Sequence, residues 1–549
     1  MKIRVRELAL PLDYSENDLR QAAARRLDIN INHILSVNLV RKAVDARRST
    51  VHFSFTLDLE LPDTLKLSAE LLSSPQISLL PARETVVLTG GQQPLPLSPL
   101  VVGAGPAGLF CALLLARQGY RPILLERGLD LDRRVQEVEQ FWNLGLLHPQ
   151  ANAQFGEGGA GTFSDGKLTT RIGDPRVQSV LETFVEHGAP EEILYLKKPH
   201  VGTDMIRQVV KNMRKEIIAR GGQVYFQARL SDLSVHHRSI TSIIINETVE
   251  VPCSILVLAV GNSARDVFRL LDDRGVQLAP KGFAVGARIE HPQEWVDRVQ
   301  YGDYAGHPRL GAADYHLTFQ DRISGRSLYT FCMCPGGYVI AASSEAGQVV
   351  TNGMSYFNRD SGQANSALVV TVSPADWHNT PLGGMELQES LERKAYELGG
   401  GGYRAPAQMV KDFLQKHRSD SLEGSLATYK PGVNPANLWE LFPLELCQVL
   451  ERGLKTWERR MKGFAGEQAV LTGVETRTSS PLRILRGEEL HSLTFDNLYP
   501  CGEGSGYAGG IVSSAVDGLR VAEKIISIYN KPDETIELGA GMESAKNLS

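Results

Sequence analysis

The sequence is poor in cysteine, lacks an excess of positive charge and contains no long apolar run. Its six cysteines in 549 residues show neither a disulfide framework nor the spacing of a zinc site, which excludes a disulfide-stapled secreted domain and predicts no metal centre. A formal net charge of −5 provides no basic field for nucleic acid or an anionic membrane. No stretch reaches the roughly 18 apolar residues of a membrane-spanning helix.

These absences predict a multi-domain cytoplasmic protein. The first six residues alternate charged and apolar side chains like a strand, which is unlike a signal peptide. At roughly 150 residues for each domain, a chain of 549 residues is expected to form three or four domains. We expect a small-molecule substrate, whose identity stays open, and neither a membrane nor nucleic acid as partner.

A glycine motif near residue 100 is typical of a dinucleotide-binding βαβ unit. The short apolar run 99–102 leads into G-x-G-x-x-G at 103–108, and an apolar run of helical period follows at 109–116. A second strand-like run, 122–125, ends on Glu126, 18 residues after the last glycine. An acid that binds ribose hydroxyls is expected about 20 residues after the motif. The order of strand, glycines, helix, strand and acid is a stronger signal than the glycines alone.

Each glycine of this motif has its own task. Gly103 makes the tight turn from strand to helix, Gly105 lets the backbone approach a pyrophosphate, and Gly108 lets the helix pack on the strand. The helix offers free N–H groups and its positive dipole end to the phosphates. Glu126 is predicted to accept hydrogen bonds from the adenosine ribose.

Two further glycine-rich segments lie far from this motif. Residues 155–168 hold five glycines within eleven positions, which favours a loop lying against a flat ligand over an ordinary surface loop. Residues 495–511 contain a strand, glycines and an acid, and an amphipathic helix follows from Val512 to Ile528. A buried strand at 254–260 runs into a small-residue turn, where the sheet can return beneath a bound dinucleotide.

FAD explains these segments together, with its adenosine half at the first motif and its ring system at the others. No second glycine motif with strand and helix appears, so any NAD(P)H would dock transiently in the pocket facing the flavin. The predicted cofactor contacts are Gly103, Gly105, Pro106, Ala107, Gly108, Glu126, Arg127, Arg133, Gly158, Gly159, Gly161, Val260, Gly261, Gly502, Glu503, Gly509, Gly510 and Ile511.

Several stretches resemble known flavoproteins. Residues 103–108, Glu126, 258–261 and 499–511 together resemble FAD-containing oxidoreductases of the glutathione-reductase-like superfamily. More narrowly, most of the chain resembles the bacterial family described as uncharacterised FAD-dependent dehydrogenases. The stretches that carry this narrower resemblance are 155–168, 330–337, 350–354, 365–367, 474–481 and 506–510. The resemblance implies bound FAD and redox activity, and it implies no particular substrate.

The predicted fold is α/β. A Rossmann-like FAD-binding domain at 96–275 and 481–530 contains an inserted substrate domain at 276–480, which combines an antiparallel sheet with helices. Residues 1–95 form a small N-terminal α+β module, and residues 531–549 are predicted to be a flexible tail. The inserted sheet and its helices, laid over the flavin, would form the substrate pocket.

The N-terminal module shows a β-α-β-β pattern and carries a group of basic side chains. Ser15 is the predicted N-cap of its helix, which runs to Leu27, and strand-like runs follow at 34–44 and 50–61. The basic side chains offer an RNA or protein surface or, as we favour because acids lie beside them, an ordinary solvated face. They are Arg20, Arg25, Arg26, Arg41, Lys42, Arg47 and Arg48.

Three polar side chains are candidates for the flavin site: Lys167, Arg477 and Tyr507. A lysine near the ring would stabilise the negative charge of reduced flavin, as a preorganised cation does for any developing charge. The alternative for each residue is an ordinary surface or structural contact. The sequence assigns no other catalytic residue.

Cys332 and Cys334 alternate on one face of a predicted strand. Residues i and i+2 of a strand have Cα atoms roughly 6.5–7 Å apart, near the limit for a disulfide. No CxxC or CxxxxC follows the first nucleotide motif, which argues against a disulfide reductase. We favour buried structural cysteines over a redox or metal pair.

The leading functional hypothesis is a flavoprotein dehydrogenase that passes a hydride between a substrate and flavin N5. The same fold supports a flavin-dependent monooxygenase or oxidase. The third hypothesis is a non-catalytic FAD-binding or RNA-associated accessory protein that acts through residues 1–95. Rapid reoxidation of reduced flavin by air favours the second hypothesis, and RNA retained only in the presence of residues 1–95 favours the third.

Overall fold

The N-terminal module is a four-stranded antiparallel sheet with one long helix. The computed structural model describes residues 1–47, 50–81, 88–538 and 543–547, so the predicted basic residue Arg48 lies outside the described part. The sheet order is β2-β3-β1-β4. The elements are β1 (Lys2–Leu10), α1 (Glu16–Leu27), β2 (Ser36–Asp45), β3 (His52–Glu60), α2 (Ala69–Leu72) and β4 (Ile77–Leu79).

Helix α1 begins where the sequence predicts it. Ser15 Oγ accepts a hydrogen bond from the Asp18 N–H at 3.2 Å, and the Asp18 carboxylate accepts one from the Ser15 N–H at 2.8 Å. These reciprocal bonds form a capping box. Buried side chains from Leu19 to Leu27 recur at helical spacing and pack with alternate residues of β1 and β3. The helix therefore covers one face of the sheet.

A parallel sheet forms the centre of the nucleotide-binding part. Strands β5, β6 and β11 consist only of buried apolar residues, as expected for strands covered on both faces. The elements are β5 (Leu100–Val102), α3 (Pro106–Arg117), β6 (Ile123–Leu125), α4 (Leu131–Leu144), α5 (Arg176–Glu186), α6 (Gly202–Ala219), β7 (Gln223–Phe226), β8 (Leu230–His236), β9 (Ser239–Ile245), β10 (Val249–Pro252), β11 (Leu256–Leu258) and α7 (Arg265–Asp273). Strands β8 to β10 form a separate antiparallel sheet.

The next segment forms a larger, mainly antiparallel sheet of order β14-β15-β18-β13-β21-β19-β20. Only β19 and β20 pair in parallel within it. Strands β16 and β17 form a hairpin, and β12 pairs with β22. The elements are β12 (Leu278–Pro280), β13 (Phe283–Pro292), α8 (Gln293–Tyr301), β14 (Thr318–Gln320), β15 (Ser327–Cys334), β16 (Gly337–Ala341), β17 (Thr351–Ser355), β18 (Gln363–Val372), α9 (Gly383–Leu398), β19 (Ala405–Met409), α10 (Val410–Gln415), β20 (Val433–Pro435), α11 (Leu438–Leu441), α12 (Leu444–Arg460), β21 (Val470–Glu475) and β22 (Leu482–Ile484).

The chain then returns to the parallel sheet through β23 (Leu498–Pro500), α13 (Ile511–Ile528) and β24 (Glu543–Ser544). The complete order is β23-β11-β5-β6-β7-β24, with parallel pairing from β23 to β7. The predicted α/β class with a Rossmann-like domain is confirmed. The predicted domain boundaries stay predictions.

The C-terminal helix agrees with the predicted apolar run to within one residue, because a buried helix carries a regular pattern of apolar side chains. Among the helices in the described ranges, none combines the length and apolar character needed to cross a membrane.

The predicted flexible tail contacts the parallel sheet and the segment before β5 where the structure describes it. The Glu534 N–H donates to the Pro96 carbonyl at 3.0 Å, and β24 pairs with β7 in antiparallel fashion. These residues contact the rest of the chain, and the flexibility of 531–549 stays a prediction. A sheet edge carries unpaired backbone groups that any short segment can satisfy, and polar composition gives no sign of such pairing.

Candidate functional site

A cavity of about 1340 Å³ opens at the carboxyl end of the parallel sheet. Residues that follow four of its strands line the cavity: Gly103, Glu126, Gly261 and Glu503. Open α/β sheets bind ligands at this edge. Residues of β14, β15 and β21 supply the opposite wall. The volume exceeds the roughly 300–1,000 Å³ of ordinary ligand pockets, so the cavity has room for a dinucleotide and a substrate.

The first glycine motif leaves bare backbone at the cavity wall. Gly105 is the N-cap of α3, and no side chain caps the first N–H groups of this helix. A Cβ atom on Gly105 would find no neighbour nearer than Gly159 Cα at 3.9 Å, so it would enter the cavity. A Cβ atom on Gly103 would lie 2.3 Å from the Ala259 carbonyl oxygen, and one on Gly108 would lie 1.9 Å from the Gly103 oxygen. Two of the glycines therefore permit close packing, and Gly105 faces the ligand space.

A second helix end faces the same cavity. Gly510 is the N-cap of α13, which also lacks a side-chain cap. A Cβ atom on Gly509 or Gly261 would meet no atom within 4 Å. Gly518 brings α13 against α3, because a Cβ atom there would lie 2.2 Å from the Ala107 oxygen. A Cβ atom on Gly161 would lie 3.3 Å from Ile511 and 3.9 Å from Pro106, the first residues of α13 and α3, so both uncapped N-termini lie beside this glycine. Uncapped helix N-termini attract anionic groups.

This arrangement fits FAD. A pyrophosphate needs backbone N–H donors without side chains in the way, and the two helix ends supply them. A flat ring system needs walls of bare backbone, which Gly159, Gly161 and Gly509 provide along the cavity. The residues present therefore accept the dinucleotide that the sequence predicts.

Glu126 joins three backbone segments and also faces the cavity. Its Oε2 atom accepts a hydrogen bond from the Ala104 N–H at 2.9 Å, and its Oε1 atom accepts from Gly128 at 2.9 Å and Gly156 at 3.0 Å. A carboxylate offers about four lone-pair sites, so one stays for a ribose hydroxyl. The ribose contact stays a prediction from the motif spacing, whereas the hydrogen bond from Gly156 is a feature of the fold that the spacing does not indicate.

Most of the predicted cofactor contacts line the cavity. These are Gly103, Gly105, Pro106, Ala107, Glu126, Arg127, Gly159, Gly161, Val260, Gly261, Glu503, Gly509, Gly510 and Ile511. The predicted contacts outside the lining are Gly108, Arg133, Gly158 and Gly502.

The predicted contacts outside the lining have other neighbours. A Cβ atom on Gly502 would lie 2.6 Å from a side chain of α3, and one on Gly158 would lie 2.3 Å from a threonine methyl group, so both glycines permit close packing. Arg133 pairs with Asp130 and Glu543 instead of facing the cavity. Our proposed cofactor residues therefore omit Arg133.

Two of the catalytic candidates, Lys167 and Arg477, differ in how closely their charges are paired with acidic side chains. Lys167 lines the cavity, its Nζ atom donates to the Met333 carbonyl, and its ion pair with Asp165 is long, at 4.0 Å, with 27% of the lysine side chain exposed. Arg477 also lines the cavity, but its guanidinium forms an ion pair with Glu392 at 2.9 Å and donates to Ser344 Oγ at 2.6 Å. Only 5% of its side chain is exposed. Arg477 therefore stabilises the wall, and Lys167 is the better candidate for a charge next to the flavin.

Tyr507, the third candidate, lines the cavity but is held by Arg486. The Arg486 guanidinium lies 3.9 Å from the centre of the Tyr507 ring, and the phenol oxygen accepts the Arg486 N–H at 3.1 Å. A cation over an aromatic face attracts the ring. These contacts fix Tyr507 in the wall.

Glu503 is an acid–base group that the sequence indicates only as a cofactor contact. Its Oε1 atom accepts a hydrogen bond from Asn262 Nδ2 at 3.2 Å. Burial raises the pKa of Glu503 to about 7, although the charge of Lys281 and the bond from Asn262 oppose this rise. Burial also lowers the pKa of Lys281. A carboxyl group near neutrality can gain or release a proton at physiological pH.

A buried ion pair that the sequence analysis missed lies behind the wall. Arg288 donates from Nε and Nη2 to the two oxygens of Glu475 at 2.9 and 3.0 Å, and Arg288 is fully buried. Glu475 lines the cavity, and burial raises its pKa. A buried charge needs a partner. The available signal is the arginine itself, which interrupts the apolar run of β13.

The fold and cavity define a flavoprotein with a Rossmann-like nucleotide-binding domain. Residues 101–137 match the family described as an NAD(P)-binding Rossmann-like domain, and residues 282–478 match the family described as FAD-dependent protein, C-terminal domain-like. Residues 2–60 match a domain of unknown function.

The chain is 45% identical over 534 residues to an uncharacterised protein of Clostridium beijerinckii, in an alignment that covers 97% of this chain and 100% of the relative. The present chain therefore belongs to this family of FAD-dependent proteins, and its cofactor is FAD.

Similar solved structures include glycine oxidase from Bacillus cereus, with 11% identity, a TM-score of 0.32 and coverage of 78% of this chain and 94% of the oxidase. The halogenase PltM shows 10% identity and a TM-score of 0.37, with 78% and 69% of the two chains covered. With TM-scores below 0.5, these likenesses contribute nothing to the functional argument.

Proposed function

We propose that the protein is an FAD-dependent dehydrogenase that transfers a hydride between a small molecule and flavin N5, like the glutathione-reductase-like oxidoreductases that its motifs resemble. The observation that carries the proposal is the continuity of the cavity. One space runs from the bare backbone at Gly105 to a chamber walled by the second sheet. Such a space has room to hold a cofactor and a substrate against each other.

The two ends of the cavity suit the two ends of FAD. The segment from Gly103 to Glu126 would hold the adenosine half, and the ring system would lie against Gly159–Gly161 and Gly509–Gly510. When bound, FAD supplies two-electron chemistry by accepting or giving a hydride at N5. The protein supplies orientation, charge and proton exchange.

Two side chains supply charge and proton exchange in this proposal. Lys167 places a cation at the wall, where it would stabilise negative charge on a ligand. Glu503, with its pKa raised to about 7 by burial, would give or take the proton that accompanies electron transfer. Its hydrogen bond to Asn262 fixes the position of the carboxyl group.

The outer chamber would hold the substrate. Its wall includes the aromatic side chains of Tyr329 and Phe331 and the polar side chains of His316, Thr318 and Gln320. Apolar walls with a few polar groups are typical of small-molecule sites. NAD(P)H, as a transient electron donor, would dock in the same chamber, since the sequence offers no second nucleotide motif.

An anaerobic reduction assay tests the proposal. The purified protein is expected to be yellow, and NADH, NADPH or a reduced substrate from a chemical panel should bleach its flavin absorbance. Protein without bound flavin would contradict FAD binding in this cavity. Flavin that no member of the panel reduces, but that reoxidises within seconds in air after photoreduction, would favour a monooxygenase or oxidase instead.

Replacement of Lys167 by methionine is expected to leave FAD bound and to lower the reduction potential of the flavin. The cation favours the negatively charged reduced form, and methionine keeps the apolar stem without the charge. A change of about 1.4 kcal/mol corresponds to about 30 mV for a two-electron couple, so we expect a fall of the order of 30 mV. Spectroelectrochemical titration measures it.

The matched control for this variant is Lys167→Arg, which keeps a cation at the same position. Its flavin potential should stay close to that of the wild type. Equal potentials in the wild type and Lys167→Met would place Lys167 outside the electrostatic reach of the ring.

A further inference from the structure

Cys332 and Cys334 occupy an irregular end of β15 at the cavity wall. The register of β15 against β18 shifts between Phe331 and Cys334, and Cys332 has a left-handed φ of 43°. Cys332 is half-buried and lines the cavity, whereas Cys334 is fully buried behind it. The regular strand geometry that the sequence predicts for this pair therefore does not apply.

Hydrogen bonds hold the irregular backbone in place. Arg288 Nη1 donates to the Cys332 carbonyl at 2.9 Å, and Lys167 donates to the Met333 carbonyl. A left-handed conformation at a residue other than glycine costs free energy and persists only where its surroundings fix it. Such strain concentrates at functional sites, so this segment merits a functional test.

The same irregularity brings the Cys334 thiol back toward Cys332. Cys334 Sγ lies 3.3 Å from the Cys332 carbonyl oxygen and donates to it. In a regular strand the side chains of residues i and i+2 lie on the same face with their Cα atoms roughly 6.5–7 Å apart. A thiol bonded to its neighbour's backbone is already turned toward the other cysteine.

The charges around the pair favour one thiolate and one thiol. The neighbouring Cys334 thiol lowers the pKa of Cys332, burial opposes this shift, and the charges of Arg288 and Lys167 lower the pKa further. The pKa of Cys334 is raised, first by Cys332 and then by burial. Asp165 and Glu475 carry the opposing negative charge, and both line the cavity. A thiolate next to a protonated thiol is the reactive state of a dithiol.

The other cysteines have different surroundings. Cys111, Cys253, Cys447 and Cys501 are buried, and none belongs to the cavity lining. Burial raises the pKa of each of them. The pair on β15 is therefore distinct within the part of the chain that the structure describes.

We propose that Cys332 and Cys334 form a redox-active dithiol that exchanges two electrons with the flavin. The proposal rests on the flavin ring lying at the glycine-lined end of the cavity, as proposed above. Lys167, which follows the glycine-rich residues 156–161, donates to the Met333 carbonyl between the two cysteines, and Cys332 lines the same cavity as Gly509 and Gly510. Dithiol and ring would therefore share one end of the cavity.

The exchange balances without a further reactant. An S–S bond forms between Cys332 and Cys334, and the S–H bond of Cys334 breaks. Two electrons and the Cys334 proton pass to the oxidised flavin, giving the anionic reduced flavin, which takes over the negative charge of the Cys332 thiolate. The reverse step reduces the disulfide and restores the thiolate and the thiol.

Reductive titration of the oxidised holoenzyme tests the proposal. After mild oxidation, wild-type protein should take up about two equivalents of dithionite for each bound FAD, one for the flavin and one for the disulfide. Cys332→Ser and Cys334→Ser should each take up about one equivalent. The matched control, Cys253→Ser, replaces a buried cysteine away from the cavity and should behave like the wild type.

Peptide mass spectrometry supplies a readout that needs neither activity nor a variant. The oxidised wild-type peptide that contains both cysteines should be lighter by two hydrogen atoms and resist iodoacetamide, and it should gain two labels after titration. Uptake of one equivalent by flavin-loaded wild type, or full labelling of both thiols after oxidation, overturns the proposal. Protein that forms the disulfide but holds no flavin would instead contradict FAD binding, so the two failures are distinguishable.

Discussion

Replacement of Gly105 by valine is expected to give folded protein that has lost its FAD. The backbone of Gly105 has φ −77° and ψ −177°, an extended conformation that valine adopts before a proline. A Cβ atom there would meet no protein atom nearer than 3.9 Å, so the fold accommodates the side chain. The same side chain occupies the space into which a pyrophosphate must fit.

The expected loss follows from the hydrogen bonds that the pyrophosphate would no longer reach. A bond to a charged group contributes about 1.5–3 kcal/mol, so losing one of them weakens FAD binding roughly 10- to 150-fold. The measurement is flavin absorbance per mole of folded protein, with circular dichroism to confirm folding.

Gly173→Val is the matched control for this variant. Gly173 lies in an exposed loop, a Cβ atom there would meet nothing within 4 Å, and it does not line the cavity. Its flavin content should equal that of the wild type. A normal flavin content in Gly105→Val would place the pyrophosphate elsewhere.

The features that sequence patterns predict best are local ones. The glycine motif, the acid after β6 and the cap at Ser15 each depend on residues within one βαβ unit or one helical turn. Steric rules fix such features, because a tight turn or a capped helix end accepts few residue types. Their positions in the structure agree with the spacing for that reason.

Features that depend on partners distant in the sequence cannot be predicted from such local patterns. Arg477 is a plausible catalytic residue until the fold brings Glu392, 85 positions earlier, against its guanidinium. Arg133 is a plausible cofactor contact until the C-terminal tail brings Glu543 beside it. An isolated charge in a sequence shows that a partner is needed, and only the topology decides which partner it finds.

The cysteine pair shows that alternation along a strand can mispredict where side chains lie. Alternation along β15 predicts two side chains on one face, and a shift in the strand register removes that relation. The shift depends on Arg288 from β13 and Lys167 from a distant loop, which bond to consecutive carbonyls of the segment. Periodicity is informative only while the strand stays regular.

Replacement of Glu392 by glutamine is expected to have the largest effect on stability. Glu392 is fully buried on α9 between Arg265 and Arg477, at 2.8 and 2.9 Å. The glutamine has nearly the same shape but leaves Arg477, 5% exposed, without its carboxylate partner, and it leaves Arg265, 1% exposed, with only the weaker pairs to Glu345 at 3.1 Å and Glu389 at 4.0 Å. Breaking a buried ion pair in this way costs about 3–5 kcal/mol.

Hydrogen exchange of the amides of α9 measures this loss locally, which suits a chain of several domains. Glu386→Gln is the matched control, because Glu386 lies on the same helix with an exposed side chain. The free energy of opening that exchange gives for α9 in this control should stay within about 0.5 kcal/mol of the wild-type value. Equal hydrogen-exchange protection of α9 in Glu392→Gln and in the control would show that other groups compensate the charges of the two arginines.

The same carboxylate predicts how the effect depends on pH. Burial alone would raise the pKa of Glu392, but Arg265 and Arg477 outweigh it and hold the value at about 2, below the ordinary 4.5. A lowered pKa in the folded state contributes stability that is complete above pH 4.5 and is lost as the pH falls toward 2. Glutamine does not titrate, so the difference in stability between wild type and Glu392→Gln should be constant near neutrality and shrink across this window. A difference that stays constant down to pH 2 would show that charge is not the cause of the loss.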